Sequence, residues 1–525
     1  MTLYICAHGA WYQKEIMELS KVFFPGYPVS EVEEMPDLSG DDIYIECAHR
    51  ETPGGVFARV SLTVKRPPQN ETITPSNETL PPPNETFTPP NETFAFHFET
   101  RAEEGKAPIS GPIHTQAVKR ASKNHIKRLA YDLLSRFTGQ DLPWGIVTGV
   151  RPVKLVHQRL WENPDMAAIP AYLQDEYRMS PEKARLIADI AAVQRPFLAE
   201  GGGGTASLYV HIPFCPTKCL YCSFPSDTVA GSRKLLPAYM DCLFRELTTV
   251  EAHLHRTGAK VQTIYVGGGT PTALPLPLLR RLMERLHSIQ KAHETGEFTV
   301  EAGRPDSIDR QILSCLRDNG VNRISINPQS MNAETLARIG RSHTPEDVAE
   351  AYRLAREMGF SWINMDLIVG LPGEGIREMA RTLQAVREMA PDNLTIHTLA
   401  IKRSSLLKDT LDEHPLPNAD TAIEMMDLCR EAAGDLGMRG YYLYRQKYML
   451  GNLENVGYAR PGTECAYNIQ MMEEKQDTWG VGAGAITKLY MADRDLVVRV
   501  PNVKNLRYYI PKIDEMIGRK RKYMR

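Results

Sequence analysis

The sequence predicts an α/β protein whose middle, residues 205–410, is a partial (β/α)6 barrel. An N-terminal α+β domain (1–200) precedes it and a mixed C-terminal region (411–525) follows. Three observations predict this. Strand-like and helix-like runs alternate six times after residue 205, four glycines at 201–204 make a joint before the alternation, and the alternation breaks near residue 411. Strands joined through helices run parallel with right-handed crossovers. Eight such units close a barrel, so six leave it partial.

In chain order, the β-like runs Asp42–Cys47 and Gly55–Val64 predict a small sheet in the first domain. Asn-Glu-Thr then recurs at Asn70, Asn77, Asn84 and Asn91, a proline-rich seven-residue repeat. Proline and the missing apolar seam exclude a coiled coil. The stretch 67–94 reads as a disordered insertion between two elements of the first domain, its ends close together. Each Asn-Glu-Thr is also a glycosylation sequon, which matters only in a secreted protein.

Helical periodicity covers Thr115–Arg136 and Ser180–Leu198, the latter opened by serine at an N-cap and proline at the first helical position. Between them, Leu142-Pro-Trp-Gly-Ile-Val-Thr-Gly-Val-Arg-Pro-Val-Lys154 reads either as a binding surface or as a packed turn. The barrel strands are predicted at Leu208–Ile212, Thr263–Val266, Phe298–Ala302, Arg323–Asn327, Ile363–Val369 and Leu394–Leu399. Helices are expected at Tyr239–His253, Pro277–Gln290, Asp309–Asp318, Pro345–Met358 and Ile376–Met389.

Composition narrows the function classes. With 62 basic against 64 acidic residues, nothing points to nucleic acid or an anionic membrane. No apolar run approaches the ~20 residues that span a bilayer, and the amino terminus lacks the features of a secretory signal. Nine scattered cysteines do not make a disulfide framework. A reducing cytoplasm is expected.

Three of those cysteines, Cys215, Cys219 and Cys222, follow the first barrel strand as C-x3-C-x2-C. Structural zinc closes its shell with four ligands. A four-iron cluster on three thiolates keeps one iron open for a small molecule. The other barrel strands end in polar groups, where parallel α/β folds gather their functional residues. Gly267-Gly-Gly-Thr-Pro271 lets backbone approach a ligand. Glu301 can accept from an ammonium or a hydroxyl, Gln329 offers an amide, Arg341 can pair with a carboxylate, and Asp366 lies in the fifth strand.

The runs Tyr-Val-His-Ile-Pro-Phe-Cys, Gly-Gly-Gly-Thr-Pro-Thr, Asn-Pro-Gln-Ser-Met, Asp-Leu-Ile-Val-Gly-Leu-Pro, Tyr-Ala-Arg-Pro-Gly-Thr-Glu-Cys and Gly-Val-Gly-Ala-Gly-Ala occur in this order between Tyr209 and about Lys488. They resemble the oxygen-independent coproporphyrinogen III oxidase group of radical SAM proteins. The long N-terminal part with Thr-Gly-Val-Arg-Pro-Val-Lys resembles the HemZ-type branch of that group.

The resemblance implies a radical SAM barrel and a [4Fe–4S] cluster on Cys215, Cys219 and Cys222, with one or two molecules of S-adenosylmethionine. Tyr209, Gly268, Glu301 and Ile486 match positions around the cluster-bound molecule. Tyr221, Gly269, Thr270, Gln329, Arg341, Asp366 and Ala400 match positions around a second one. The implied activity is decarboxylation of coproporphyrinogen III to protoporphyrinogen IX by a 5′-deoxyadenosyl radical, fed by a one-electron donor such as flavodoxin or ferredoxin. No acid–base residue is singled out.

Two departures resemble instead the relatives described as haem chaperones. Ser223 and Phe224 stand where the oxidase proper reaches a further cysteine, and the oxidase's Arg-Asn-Phe-Gln-Gly-Tyr-Thr-Thr run has no counterpart. Haem binding and transfer, or radical chemistry on another substrate, remain as alternatives. Of the other cysteines, Cys242 and Cys429 fall in helical patterns and read as core, Cys465 is left open, and the basic end Arg519–Lys522 reads as a solvated tail.

Overall fold

A computed structural model describes residues 2–8, 13–38, 42–52, 55–64, 94–101, 116–200, 204–224, 226–402, 404–447 and 449–524. The Asn-Glu-Thr repeats lie outside the described residues. The chain divides into two compact units, residues 1–149 with 159–188, and residues 150–158 with 189–525. Among the described residues, no helix is long and apolar enough to cross a membrane.

The first unit is built on a five-stranded sheet of β1 (Leu3–His8), β2 (Val29–Glu31), β3 (Ile43–Thr52), β4 (Gly55–Val64) and β5 (Phe94–Arg101), in the order β2-β1-β3-β4-β5. One face of its strands buries Leu3 and Ile5, Ile43 and Ile45, and Val60 and Leu62 at period two, and Cys6, Tyr44 and Ser61 on the other face are buried as well. Helix Gln13–Phe23 buries Ile16, Leu19 and Phe23, and helix Gln116–Thr138 buries Ile126, Ala130, Leu133 and Leu134. The spacing of three, four and seven places each set on one helical face. Phe23 and Tyr131 join the two helices edge to face at 5.5 Å. β4 and β5, which flank the repeats, are antiparallel partners in register from Val64↔Phe94 onward. The ends of that long connection therefore do meet.

The second unit carries an eleven-stranded sheet. Its parallel core is β6 (Thr205–Ile212), β7 (Lys260–Gly268), β8 (Glu297–Glu301), β9 (Arg323–Ser325), β10 (Trp362–Val369) and β11 (Asn393–Thr398). These are the six expected strands, and the sheet is not closed: a partial barrel. The strands beyond residue 411 extend this same sheet. β12 (Arg439–Tyr444) and β13 (Asn455–Ala459) add antiparallel strands beyond β11. At the other edge, β14 (Asp477–Val481) runs parallel to β6, and β15 (Ile486–Met491) and β16 (Leu496–Pro501) follow antiparallel.

Ladder partners share a face of a sheet. One face collects Leu208, Val210, Ile264, Val266, Phe298, Val300, Ile363, Met365, Leu367, Leu394 and Ile396, all buried. The other carries Tyr209, Tyr265, Glu301, Asn364, Asp366, Thr395 and His397. That polar face is where the chemistry can sit.

The basic C-terminus is not a solvated tail throughout. In helix Ile513–Arg521, Lys520 is 1% exposed and its ammonium donates to Glu246 at 2.6 Å and Asn502 at 2.7 Å. Cys242 and Cys429 are buried in helices as expected.

Candidate functional site

The loop after β6 carries the three cysteines and is pinned to two later segments. Leu220 N–H donates to Ile339 O at 3.0 Å, Thr217 Oγ1 donates to Gly340 O at 3.1 Å, and Leu407 N–H donates to Leu220 O at 3.0 Å. Thr270 Oγ1 donates to Cys215 Sγ at 3.6 Å, and Arg304 Nη1 reaches Cys219 Sγ at 3.9 Å. Burial pushes up the thiol pKa of Cys215 and Cys222, and the charge of Cys219 acts on both in the same direction. The three sulfurs are thus electrostatic neighbours. Yet among the described residues no three His, Cys, Asp or Glu side chains meet closely enough to hold one metal ion. Three thiols in one loop supply the donor set of a four-iron cluster that takes one thiolate at each of three irons and leaves the fourth open.

Beside that loop lies the glycine run at the end of β7. A Cβ on Gly267 would stand 2.7 Å from the Glu301 carboxyl carbon, and one on Gly268 (φ +110°) 2.7 Å from the His211 ring. Bare backbone is therefore required here by close approach. Gly268 N–H donates to Glu301 Oε2 at 3.1 Å and Tyr265 OH donates to Oε1 at 2.6 Å. Burial pushes the Glu301 carboxyl up to about 7, against the opposing hydrogen bond from Tyr265. Tyr209 shares a hydrogen bond with His211 Nδ1 at 2.9 Å, and its ring stacks on Tyr467 at 6.0 Å. Tyr265 stacks on the same ring at 4.2 Å. Three tyrosines thus wall one side of Glu301.

On the far strands, Gln329 holds φ +67° and is locked between strands: its N–H donates to Asp366 O at 2.9 Å and its O accepts from Ile368 N–H at 3.0 Å. Its side-chain Oε1 is buried with no partner. Arg341 donates to Asn327 O at 2.7 Å and to the Tyr221 hydroxyl at 3.3 Å, while its Nε is buried and unpartnered. Asp366 accepts from Asn364 Nδ2 at 2.7 Å and lies 3.6 Å from His397 Nε2. These orphaned polar atoms suit a polar ligand such as S-adenosylmethionine, because burying them bare costs free energy.

The expected residues divide plainly. Cys215 with Thr270, Gly268 with Glu301, Tyr221 with Arg341, and Gln329 with Asp366 are brought together. Gly269 donates its N–H to Ile212 O at 2.8 Å beside the cysteine loop. Ala400, just past β11, forms an isolated bridge with Met449, and Ile486 opens β15 at 38% exposure. The Ile486 backbone lies against Gly480, the ladder partner of Tyr209.

Sequence reasoning did not single out Tyr265, Arg304, His397 or Tyr467. Arg304 sits inside the quoted Thr-Val-Glu-Ala-Gly-Arg-Pro run and Tyr467 two residues after Cys465, so proximity to motifs was the available signal. Cys465 is explained: its thiol donates to Glu297 Oε1 at 3.3 Å. Glu297 also accepts the N–H groups of Ala466 and Tyr467 at 2.8 and 3.0 Å, capping the helix that presents Tyr467.

Residues 209–386 match the radical SAM superfamily. The chain is 39% identical over 408 residues to the oxygen-independent coproporphyrinogen-III oxidase-like protein HemZ of Bacillus subtilis (strain 168), covering 77% of this chain and 81% of that one. It is 32% identical to the heme chaperone HemW of Escherichia coli (strain K12), over 55% of this chain and 71% of the chaperone. A solved coproporphyrinogen III oxidase (HemN) from Escherichia coli aligns at TM-score 0.48 and 26% identity, over 62% of this chain and 73% of that one. The HemZ match, long on both sides, joins with the cysteine loop and its glycine neighbour. This chain belongs to the oxygen-independent coproporphyrinogen III oxidase group of the radical SAM superfamily, in its HemZ-type branch, with a [4Fe–4S] cluster and S-adenosylmethionine as its cofactors.

Proposed function

We propose that the protein is a radical SAM oxidoreductase that decarboxylates coproporphyrinogen III to protoporphyrinogen IX without oxygen. One observation carries this reading: a polar strand-end site centred on Glu301 stands two strands from the strand that leads into three neighbouring thiols, in a chain 39% identical to a relative named as an oxygen-independent coproporphyrinogen-III oxidase-like protein. When bound, the cluster and S-adenosylmethionine supply a one-electron reductive cleavage that yields a hydrogen-abstracting 5′-deoxyadenosyl radical.

The residues divide the remaining work. Cys215, Cys219 and Cys222 hold the cluster. Glu301, fixed by Tyr265 and Gly268, accepts from the amino group or a ribose hydroxyl of the bound molecule, with Tyr209 and Ile486 beside it. Gly269, Thr270, Gln329, Arg341, Asp366, Tyr221 and Ala400 receive a second molecule of S-adenosylmethionine or part of the substrate, and Gln329 Oε1 and Arg341 Nε gain partners they now lack. The stacked Tyr209, Tyr265 and Tyr467 rings keep water from one flank. A one-electron donor of flavodoxin or ferredoxin type, in a reducing cytoplasm, completes the system.

Anaerobic incubation with S-adenosylmethionine, a reductant and coproporphyrinogen III should give protoporphyrinogen IX. Protein that cleaves S-adenosylmethionine and leaves the tetracarboxylate untouched overturns the reading. A second reading, a haem-binding and haem-transfer chaperone, is favoured by Ser223 and by Phe224, which is 63% exposed just past the last cluster cysteine. Stoichiometric haem binding followed by transfer to an acceptor is expected only of that chaperone.

A further inference from the structure

Arg304 has no role in the assignments above, and it is the most fully engaged guanidinium near the cysteine loop. It is 3% exposed, at the turn that follows Glu301. Its Nε and Nη2 pair side-on with Asp306 at 3.0 and 2.7 Å, and Nη2 also donates to Ser342 Oγ at 3.1 Å. Nη1 donates to Thr217 Oγ1 at 2.9 Å and points at Cys219 Sγ from 3.9 Å. One planar fork thus ties the third strand end, the Arg341–His343 segment and the cysteine loop together. A lysine, with a single point of charge on a flexible stem, could not hold this arrangement.

We propose that Arg304 is a positioning residue for the cluster: it clamps the cysteine loop and holds a fixed positive charge at the Cys219 sulfur, making the cluster easier to reduce. Reduction takes one electron from a one-electron donor, which is oxidised by one. No proton or covalent bond moves, and the cluster with its thiolates becomes more negative by one charge. A buried cation beside a ligating sulfur stabilises that more negative state, and hydrogen bonds to sulfur act in the same direction. Asp306 lies on the far side of the guanidinium with its side chain 21% exposed, so it partly offsets the charge that the sulfur feels. The inference rests on the cluster and does not depend on which tetrapyrrole the protein handles.

The test uses full-length protein reconstituted anaerobically with iron and sulfide, as wild type, Arg304→Gln, Arg304→Lys and Asp306→Asn. Iron and sulfide per chain are measured, and then the midpoint potential by EPR-monitored titration. Arg304→Gln should shift the equilibrium roughly tenfold against reduction, about 59 mV more negative for one electron. Asp306→Asn should move the potential the opposite way, and Arg304→Lys should fall between wild type and Arg304→Gln. Unchanged potentials, or shifts of the same sign in Arg304→Gln and Asp306→Asn, overturn the proposal. Should Arg304→Gln hold no cluster, Asp306→Asn decides: a more positive potential supports the proposal and any other result overturns it. Loss of the cluster in both variants also overturns it, because the loop would then need the ion pair for assembly alone.

Discussion

Glu301 pays for its position with burial, and that cost is readable as pH dependence. Its folded pKa, pushed up to about 7, exceeds the ordinary carboxyl value of 4.5. A raised value means that the neutral form stabilises the fold fully below pH 4.5, and that this contribution is lost as pH rises through 7. The cofactor-free protein should therefore lose up to about 3 kcal/mol across that window relative to Glu301→Gln, which cannot ionise. Chemical denaturation of both at pH 5 and pH 8 checks this; parallel behaviour of the two proteins refutes it. Binding of S-adenosylmethionine should strengthen over the same range, since an ammonium prefers the ionised carboxylate. The cysteines make a second contrast at this scale. Cys219→Ala leaves two thiolates, so cluster absorbance and S-adenosylmethionine cleavage should vanish. Cys465→Ala removes a hydrogen bond to Glu297 and should spare both, at a cost of about 1 kcal/mol in stability. The reverse pattern would show the ligand set to be misassigned.

Between elements, two ion clusters, each built on a buried carboxylate, hold the C-terminal strands in place. Glu246 on helix Leu236–Thr257 is fully buried and fully satisfied: it accepts from Gly482 N–H at 2.7 Å, Tyr509 OH at 2.7 Å, Asn502 Nδ2 at 2.8 Å and Lys520 Nζ at 2.6 Å. Lys520→Met would strand that carboxylate in the core, which costs roughly 3–5 kcal/mol, whereas pairing it with Glu246→Gln should recover much of the loss. A double-mutant cycle in urea measures this, and additive costs would mean that the pair is not coupled. The second cluster explains the Thr-Gly-Val-Arg-Pro-Val-Lys run. Arg151, Lys154, Lys488 and Arg499 all pair with Glu474, so the run clasps the β15–β16 hairpin within one unit. Trp144, earlier in the same segment, is 1% exposed, and Gly145 lies hard against the Tyr177 and Arg178 carbonyls. The packed-turn reading holds there. Neither cluster was legible beforehand. A lone Lys520 in a run of four basic residues carries no sign of burial, and Glu474 gives no hint of partners 320 residues away.

At the level of the whole chain, what the sequence made legible follows the range of the interactions concerned. The six parallel strands could be read because strands with one buried apolar face, flanked by helices, write themselves with period two, as Ile363, Met365 and Leu367 do in β10. The strand-end residues followed from topology. What could not be read was pairing across distance: β14 lies beside β6 from Asp477↔Ala206 to Val481↔Val210, and nothing local marks either as the other's partner. The long connection between β4 and β5 shows the converse, a large feature of the sequence that the fold need not notice. Val64 and Phe94 are direct antiparallel partners, and the ladder continues to Phe57↔Arg101. A two-residue turn can join such strands, and closure entropy grows only slowly with loop length, so the ladder does not depend on what lies between. Replacing residues 67–91 with Asn-Gly, which sets residue 66 opposite residue 92 and so preserves the Val64↔Phe94 pairing, should therefore keep the register of β4 and β5. It should also leave S-adenosylmethionine cleavage within about twofold of wild type, corresponding to less than ~0.5 kcal/mol in the barrier. Activity and melting temperature of the shortened chain test this together. A folded variant with a large loss of activity would mean that the repeats reach the substrate or a partner, and a drop in stability would mean that they support the first unit's sheet.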